Sequence, residues 1–147
     1  MIGSILRSMG SVVAGLAVAS ALIVAVEIFS SIFHPFPPGV DPSDYEVCKA
    51  QVASYPTWVL AVAAAGWAAG VFLASWLATR LGTGRHPAHG IVVGAILLAM
   101  VGLNMAMLPY ALWFPILNLV SFPLGTYWGT KLGRGPATQP GAAPDGA

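Results

Sequence analysis

Apolar residues fill four long runs, at about 8–34, 57–79, 90–108 and 111–130, and Glu27 is the single charged residue inside them. Each run is close to the roughly 20 residues that carry a helix across the hydrocarbon core of a bilayer. The pattern predicts an all-α chain folded as a four-helix transmembrane bundle, with one transmembrane domain over 1–134. Between the first two runs, Tyr45, Cys48, Val52 and Tyr55 recur at i, i+3, i+7 and i+10, with Asp44 and Gln51 elsewhere on the wheel. That spacing predicts a short amphipathic helix over about 42–54, lying on the membrane surface as a connector or as a lid. Asp41-Pro42 offers it an acceptor at the cap and a proline in the first turn, and Ser43-x-x-Glu46 offers a capping box slightly later. From 135 onward apolar periodicity stops, which predicts a disordered tail over 135–147.

Within the runs, small residues recur every four positions, the spacing that lets helix backbones approach closely in lipid. Ala17, Ala21 and Ala25 form such a stripe in the first run, and Gly66, Gly70, Ala74 and Ala78 in the second. Gly90 and Gly94, then Gly102 and Ala106, do so in the third, and Gly125, Gly129 and Gly133 in the fourth. Trp67 reads as a filler of the bundle core. Pro123 lacks an amide proton and is expected to kink the fourth helix.

Composition closes off a soluble fold. Charged residues make up 7% of the 147 and apolar residues 57%, against about a quarter charged in soluble domains. Four crossings place Arg7, Arg80, Arg85, Lys131 and Arg134 on one side, and Lys49 with Asp41, Asp44 and Glu46 on the other. The positive-inside rule then makes both termini cytoplasmic. Tyr55, Trp58, Tyr110 and Trp113 read as an outer aromatic belt, and Trp76, Tyr127 and Trp128 as an inner one. The first residues mimic a secretory signal, but the apolar run outlasts an ordinary signal core, so it is read as an uncleaved anchor. Cys48 is the only cysteine, so no intrachain disulfide or cysteine-based zinc site can form. No basic patch interleaved with aromatics points to nucleic acid.

The candidate chemistry gathers at the end of the first run. Glu27 and His34 lie seven residues apart on one helix face, with Ser30 and Ser31 between them. Pro35, Pro37 and Pro38 end the helix, which leaves Glu27 roughly 10 Å below its end. A carboxylate at that depth costs a few kcal/mol unless paired, protonated or wetted, and so marks a functional site. Asn104, five residues before Pro109, and Asn118, three after Pro115, reach the same depth on two other helices. The candidate site is therefore Glu27, Ser30, Ser31, His34, Asn104 and Asn118, read either as an outward-facing polar pocket or as a hydrogen-bond knot that fixes helix register. A metal at His34 with Met100, Met107 or Cys48 is a weaker alternative, and His86 with His89 flanks a proline in a tight turn that reads as solvated. Motifs of hydrolases, metalloproteases, nucleotide-binding loops and dinucleotide folds are missing, so neither an enzyme nor a cofactor is expected.

The run from Glu27 through Pro35-Phe36-Pro37-Pro38-Gly39-Val40-Asp41-Pro42-Ser43-Asp44, with Asn104 and Pro109-Tyr110-Ala111-Leu112-Trp113, resembles a group of small bacterial four-helix membrane proteins of unassigned activity. The resemblance implies placement in the bacterial inner membrane and no mechanism. The functional expectation is a polytopic membrane protein binding a proton, cation or small solute around Glu27, His34 and Asn104. The alternative is a non-catalytic accessory subunit or homo-oligomer. Its partners would be the lipid bilayer and further copies or a larger membrane complex.

Overall fold

Prolines and glycines cut the chain where the apolar runs end. The computed structural model describes residues 2–135, and these form five α-helices and no strand. The helices are α1 (Ile2–Phe33), α2 (Tyr45–Ala53), α3 (Thr57–Leu81), α4 (Ala88–Met107) and α5 (Trp113–Arg134), with a 3-10 turn at Thr83–Arg85. The four long helices follow the four apolar runs. Their bounds differ most at α1, which begins at Ile2 rather than near 8, and at α5, which runs to Arg134 rather than 130. The expected tail lies outside the described residues except for Gly135, whose φ of 74° closes α5 in a conformation that glycine adopts without strain.

Helix α3 is central and touches α1, α4 and α5, while α4 touches the other three long helices. Small residues make this possible. A Cβ on Gly129 would sit 2.5 Å from the Phe72 carbonyl oxygen, and one on Gly133 would sit 2.8 Å from that of Trp76. The α5 glycine stripe therefore lies directly on the backbone of α3, as the spacing predicted. Gly15 of α1 comes as close to the Ala74 carbonyl, at 2.8 Å for an added Cβ.

Two stripes differ from expectation. Ala17, Ala21 and Ala25 are exposed, and the buried line of α1 runs through Ser11, Gly15, Ala19, Val26 and Ser30. Both lines repeat small residues at spacing four, but only the second contains a glycine where α3 approaches most closely. On α4, Gly90 and Gly94 are packed against α3 and α5, whereas Gly102 has nothing within 4 Å.

Size is distributed inside out. The buried residues of α3 include Ala63, Ala64, Gly70, Ala74, Ser75 and Ala78, while Ile28, Leu103, Ile116 and Leu132 are exposed. Helices α1, α3 and α4 are long and apolar enough to cross a membrane. At 22 residues α5 is long enough, but its glycines and its Asn118, Ser121, Thr126 and Thr130 make it less apolar than the others. It continues through Pro123 as one helix.

At one end of the bundle the Arg7 side chain donates to the Leu81 carbonyl at 2.9 Å, capping the last turn of α3. Thr83 donates its hydroxyl to the Ser4 carbonyl at 3.0 Å, so the start of α1 is tied to the α3–α4 turn. His89 faces the His86 carbonyl from 2.8 Å, a local turn contact. The opposite end carries α2. Its cap is Asp44, which accepts from the Glu46 amide at 2.8 Å, rather than Asp41 or Ser43. Asp41 is spent on the turn before it, accepting from the Ser43 amide at 2.9 Å and hydroxyl at 2.7 Å. Those bonds hold the Asp41 carboxyl below its usual range.

Candidate functional site

Helix α1 buries Val26 and Ser30 against the bundle, which leaves Glu27 one position round, exposed at the edge of the α1–α3–α4 junction. Two cavities meet there. One, of about 200 Å³, lies beneath α2 and is bordered by Ser30, Gln51, Tyr55 and Tyr110. The other, of about 190 Å³, runs down between α1, α3 and α4 and is bordered by Leu22, Val71, Leu97 and Phe122. Glu27, Trp67 and Asn104 border both and form the collar between them.

The upper cavity is roofed by α2 and its flanking turns, held by polar contacts of atoms that the helices leave free. Gln51 donates from its side-chain amide to the His34 carbonyl at 2.7 Å, an acceptor released because Pro35 and the residues after it end α1. Tyr45 donates its hydroxyl to the Met107 carbonyl at 2.7 Å, at the end of α4. The Ser54 hydroxyl donates to the Gln51 carbonyl at 2.7 Å. Its proton is then used, so the His34 Nε2–H donates to it across 2.9 Å. The His34 ring also packs on Tyr55, with centroids 5.1 Å apart. His34 thus braces the roof and does not border either cavity.

Polar and aromatic groups line the collar and the cavity above it. Tyr110 donates its hydroxyl to Asn104 Oδ1 at 3.0 Å and stacks on Phe114 with centroids 4.7 Å apart. Trp67 meets Phe114 edge-on at 5.4 Å, and its Nε1 is buried without a partner among the described residues. Burial, and then the Glu27 charge, pushes the Tyr110 phenol far above its usual range. Burial also raises Tyr55, helped by the Glu27 and Cys48 charges and opposed by a hydrogen bond with Ser30. Among the described residues, the one ion pair between side chains is Lys49–Glu46, on the surface of α2. Glu27 has no hydrogen bond or ion pair there.

The structure therefore gathers Glu27, Ser30 and Asn104 of the six expected site residues. Ser31 is exposed and donates to its own helix at the Ile28 carbonyl, 2.8 Å away. Asn118 is fully buried in α5, where its Nδ2 donates to the Phe114 carbonyl at 2.9 Å and its Oδ1 has no partner among the described residues. Equal depth did not bring it to Glu27, because depth along a helix leaves the direction around its axis open. The sequence pattern puts Tyr55 and Tyr110 in an outer aromatic belt, Trp67 in the core and Gln51 off the apolar stripe of α2, whereas all four border the cavities. The amide of Gln51 in a helix lying on a membrane, and the nearness of Tyr110 to Asn104 across one turn, were the available signals.

Metal ligation finds no support in the geometry. Met107 is exposed, Met100 is exposed on the rim of the lower cavity, and no group of three His, Cys, Asp or Glu side chains converges among the described residues. Cys48 sets its thiol 3.1 Å from the Pro42 carbonyl.

Three apolar spans and an interior of small residues mark the chain as a helical membrane protein. No family model, curated protein or solved structure matches it.

Proposed function

We propose that the protein is a four-helix protein of the bacterial inner membrane, with both termini cytoplasmic, whose pocket lies in the outer half beneath α2 and binds a proton, cation or small solute at Glu27. The observation that carries this reading is the Glu27 carboxylate at the collar of two cavities, unpaired among the described residues. A carboxylate in that setting costs free energy that a proton, a cation or water must offset. Polar groups that only lock helix register satisfy each other, as Tyr110 and Asn104 do, and Glu27 is outside that arrangement. The buried Trp67 N–H without a partner adds a second open valence at the same level. The role is one of binding; the pocket holds no pair of groups arranged as nucleophile and base.

A second reading, an accessory subunit or homo-oligomer, is favoured by one observation. Ala17, Ala21 and Ala25 form a small-residue stripe on α1 that the described residues leave uncovered.

Native mass spectrometry of the protein gently extracted from its own membrane separates the two. Wild type is expected to carry a bound species that Glu27→Gln loses, at unchanged yield and oligomeric state. The pocket reading fails if wild type and variant carry the same bound mass, and a stoichiometric heteromer without any bound species establishes the accessory role.

A further inference from the structure

The two cavities that meet at Glu27 differ in kind. Above the collar the border carries hydroxyls, an amide and aromatic rings, whereas below it the border is aliphatic and aromatic apart from the collar itself. A guest that fills both halves needs charge at one point and an apolar part beside it.

We infer that the site takes a small amphiphilic organic monocation, an ammonium bearing an apolar substituent of about six carbons. The charge sits at Glu27 and the substituent fills the lower cavity. This rests on the polar-pocket reading above and names its ligand class. The sign follows from the collar, where a carboxylate has no cationic side chain beside it among the described residues. Trp67 and Tyr110 border the upper cavity together with Glu27, and aromatic rings of this kind attract an ammonium.

An inorganic cation is a poorer match. Calcium takes about six to eight oxygen ligands and magnesium demands an octahedron, while the collar offers the Glu27 carboxylate and an Asn104 oxygen already bonded to Tyr110. The size follows from the lower cavity. A dry apolar cavity of about 150 Å³ holds benzene, so about 190 Å³ accepts six carbons. Access is lateral: Ile23 and Met100, on the rim between α1 and α4, are 37% and 58% exposed. A guest with an apolar substituent can pass between these helices from the hydrocarbon.

The test is isothermal titration of the full chain in detergent micelles with methylammonium, hexylammonium, hexanol and hexanoate, against wild type, Glu27→Gln and Gly70→Leu. Partition into micelles is measured for each ligand in protein-free micelles and subtracted, so that affinities compare across ligands as well as across variants. Hexylammonium is expected to bind wild type at least tenfold more tightly than methylammonium, since each buried methylene is worth about threefold to fourfold. Glu27→Gln should weaken it at least tenfold, hexanol should show no dependence on Glu27, and hexanoate should be excluded from the wild type by the like charge of Glu27. Gly70 lines the lower cavity, and an added Cβ there meets Leu22 at an ordinary 3.7 Å. Its replacement by leucine is expected to reduce hexylammonium to the affinity of methylammonium, which itself stays unchanged.

Equal affinities of the two amines in wild type, both lost in Glu27→Gln, would overturn the amphiphile while leaving the polar pocket standing. Hexanol binding as tightly as hexylammonium, hexylammonium indifferent to Glu27→Gln, or no binding of either amine would overturn the inferred ligand class. The mass-spectrometric loss of a bound species remains a separate readout of the pocket. If Gly70→Leu fails to fold, the chain-length comparison in wild type decides alone.

Discussion

At the scale of single residues, the site is decided by which polar atoms are satisfied. The Tyr110 hydroxyl and Asn104 Oδ1 satisfy one another at 3.0 Å. Tyr110→Phe keeps the ring stack on Phe114 and loses that bond, so thermal unfolding should reveal a loss of about 0.5–1.5 kcal/mol. The same variant reads the phenol's environment. Burial and the Glu27 charge raise the Tyr110 phenol, so the fold favours its neutral form. Its contribution to stability is therefore complete below the ordinary phenol value of about 10 and is lost as pH rises through the higher folded value. Absorbance at 295 nm in an alkaline titration should show a late-ionising component that Tyr110→Phe removes. Its persistence in the variant would place another tyrosine in the buried position.

Asn118 is the opposite case. Its buried Oδ1 has no partner among the described residues, and an orphaned acceptor costs about 1–3 kcal/mol. Replacement by valine, nearer to asparagine in volume than leucine and without polar atoms, should be neutral or stabilising in a detergent melt. A loss above about 1 kcal/mol would mean that the carbonyl is satisfied within the bundle.

At the scale of elements, glycine position separates contact from coincidence. Gly129 lies on the α3 backbone, where an added Cβ would be 2.5 Å from the Phe72 oxygen, and Gly102 has open space around it. Gly129→Ala should destabilise by about 1–3 kcal/mol, the usual cost of overpacking. Gly102→Ala should be neutral or gain up to about 1 kcal/mol from helix propensity. Equal melting shifts for the two would mean that α5 does not lie on α3 through its glycines. Helix α2 depends on different forces. Its buried contribution is Gln51 and Val52, and the Gln51 amide bridges it to the end of α1, so the roof is held by hydrogen bonds as much as by apolar contact.

At the scale of the whole molecule, charge separates along the bundle axis. Arg7, Arg80, Arg85, Lys131 and Arg134 lie at the end where α1 is tied to the α3–α4 turn, and Asp41, Asp44, Glu46 and Lys49 lie around α2. The single cysteine makes the topology directly testable. In intact cells an impermeant maleimide should label Cys48 of the wild type. On a Cys48→Ser background, Leu112→Cys should label likewise, whereas Ala88→Cys and Arg134→Cys should label only after permeabilisation. Labelling of Arg134→Cys in intact cells would mean that α5 does not cross the membrane, and this is the helix whose composition least requires it.

The sequence by itself determined the helices and their kind. Apolar runs of membrane-spanning length and prolines at their ends are local properties, and they placed the four long helices and the short α2 with shifts of a few residues. It also singled out Glu27, since one carboxylate within an apolar run is anomalous without any structure. What surrounds Glu27 was decided only by the tertiary structure. Asn104 and Asn118 have similar depths, yet only Asn104 turns towards the collar, because rotation of each helix about its axis is set by how its small residues pack against α3. The same physics chose the Gly15 stripe of α1 over the Ala21 stripe. It also brought Tyr55 and Tyr110, which the sequence pattern placed in an outer aromatic belt, inward onto the cavity that Glu27 borders.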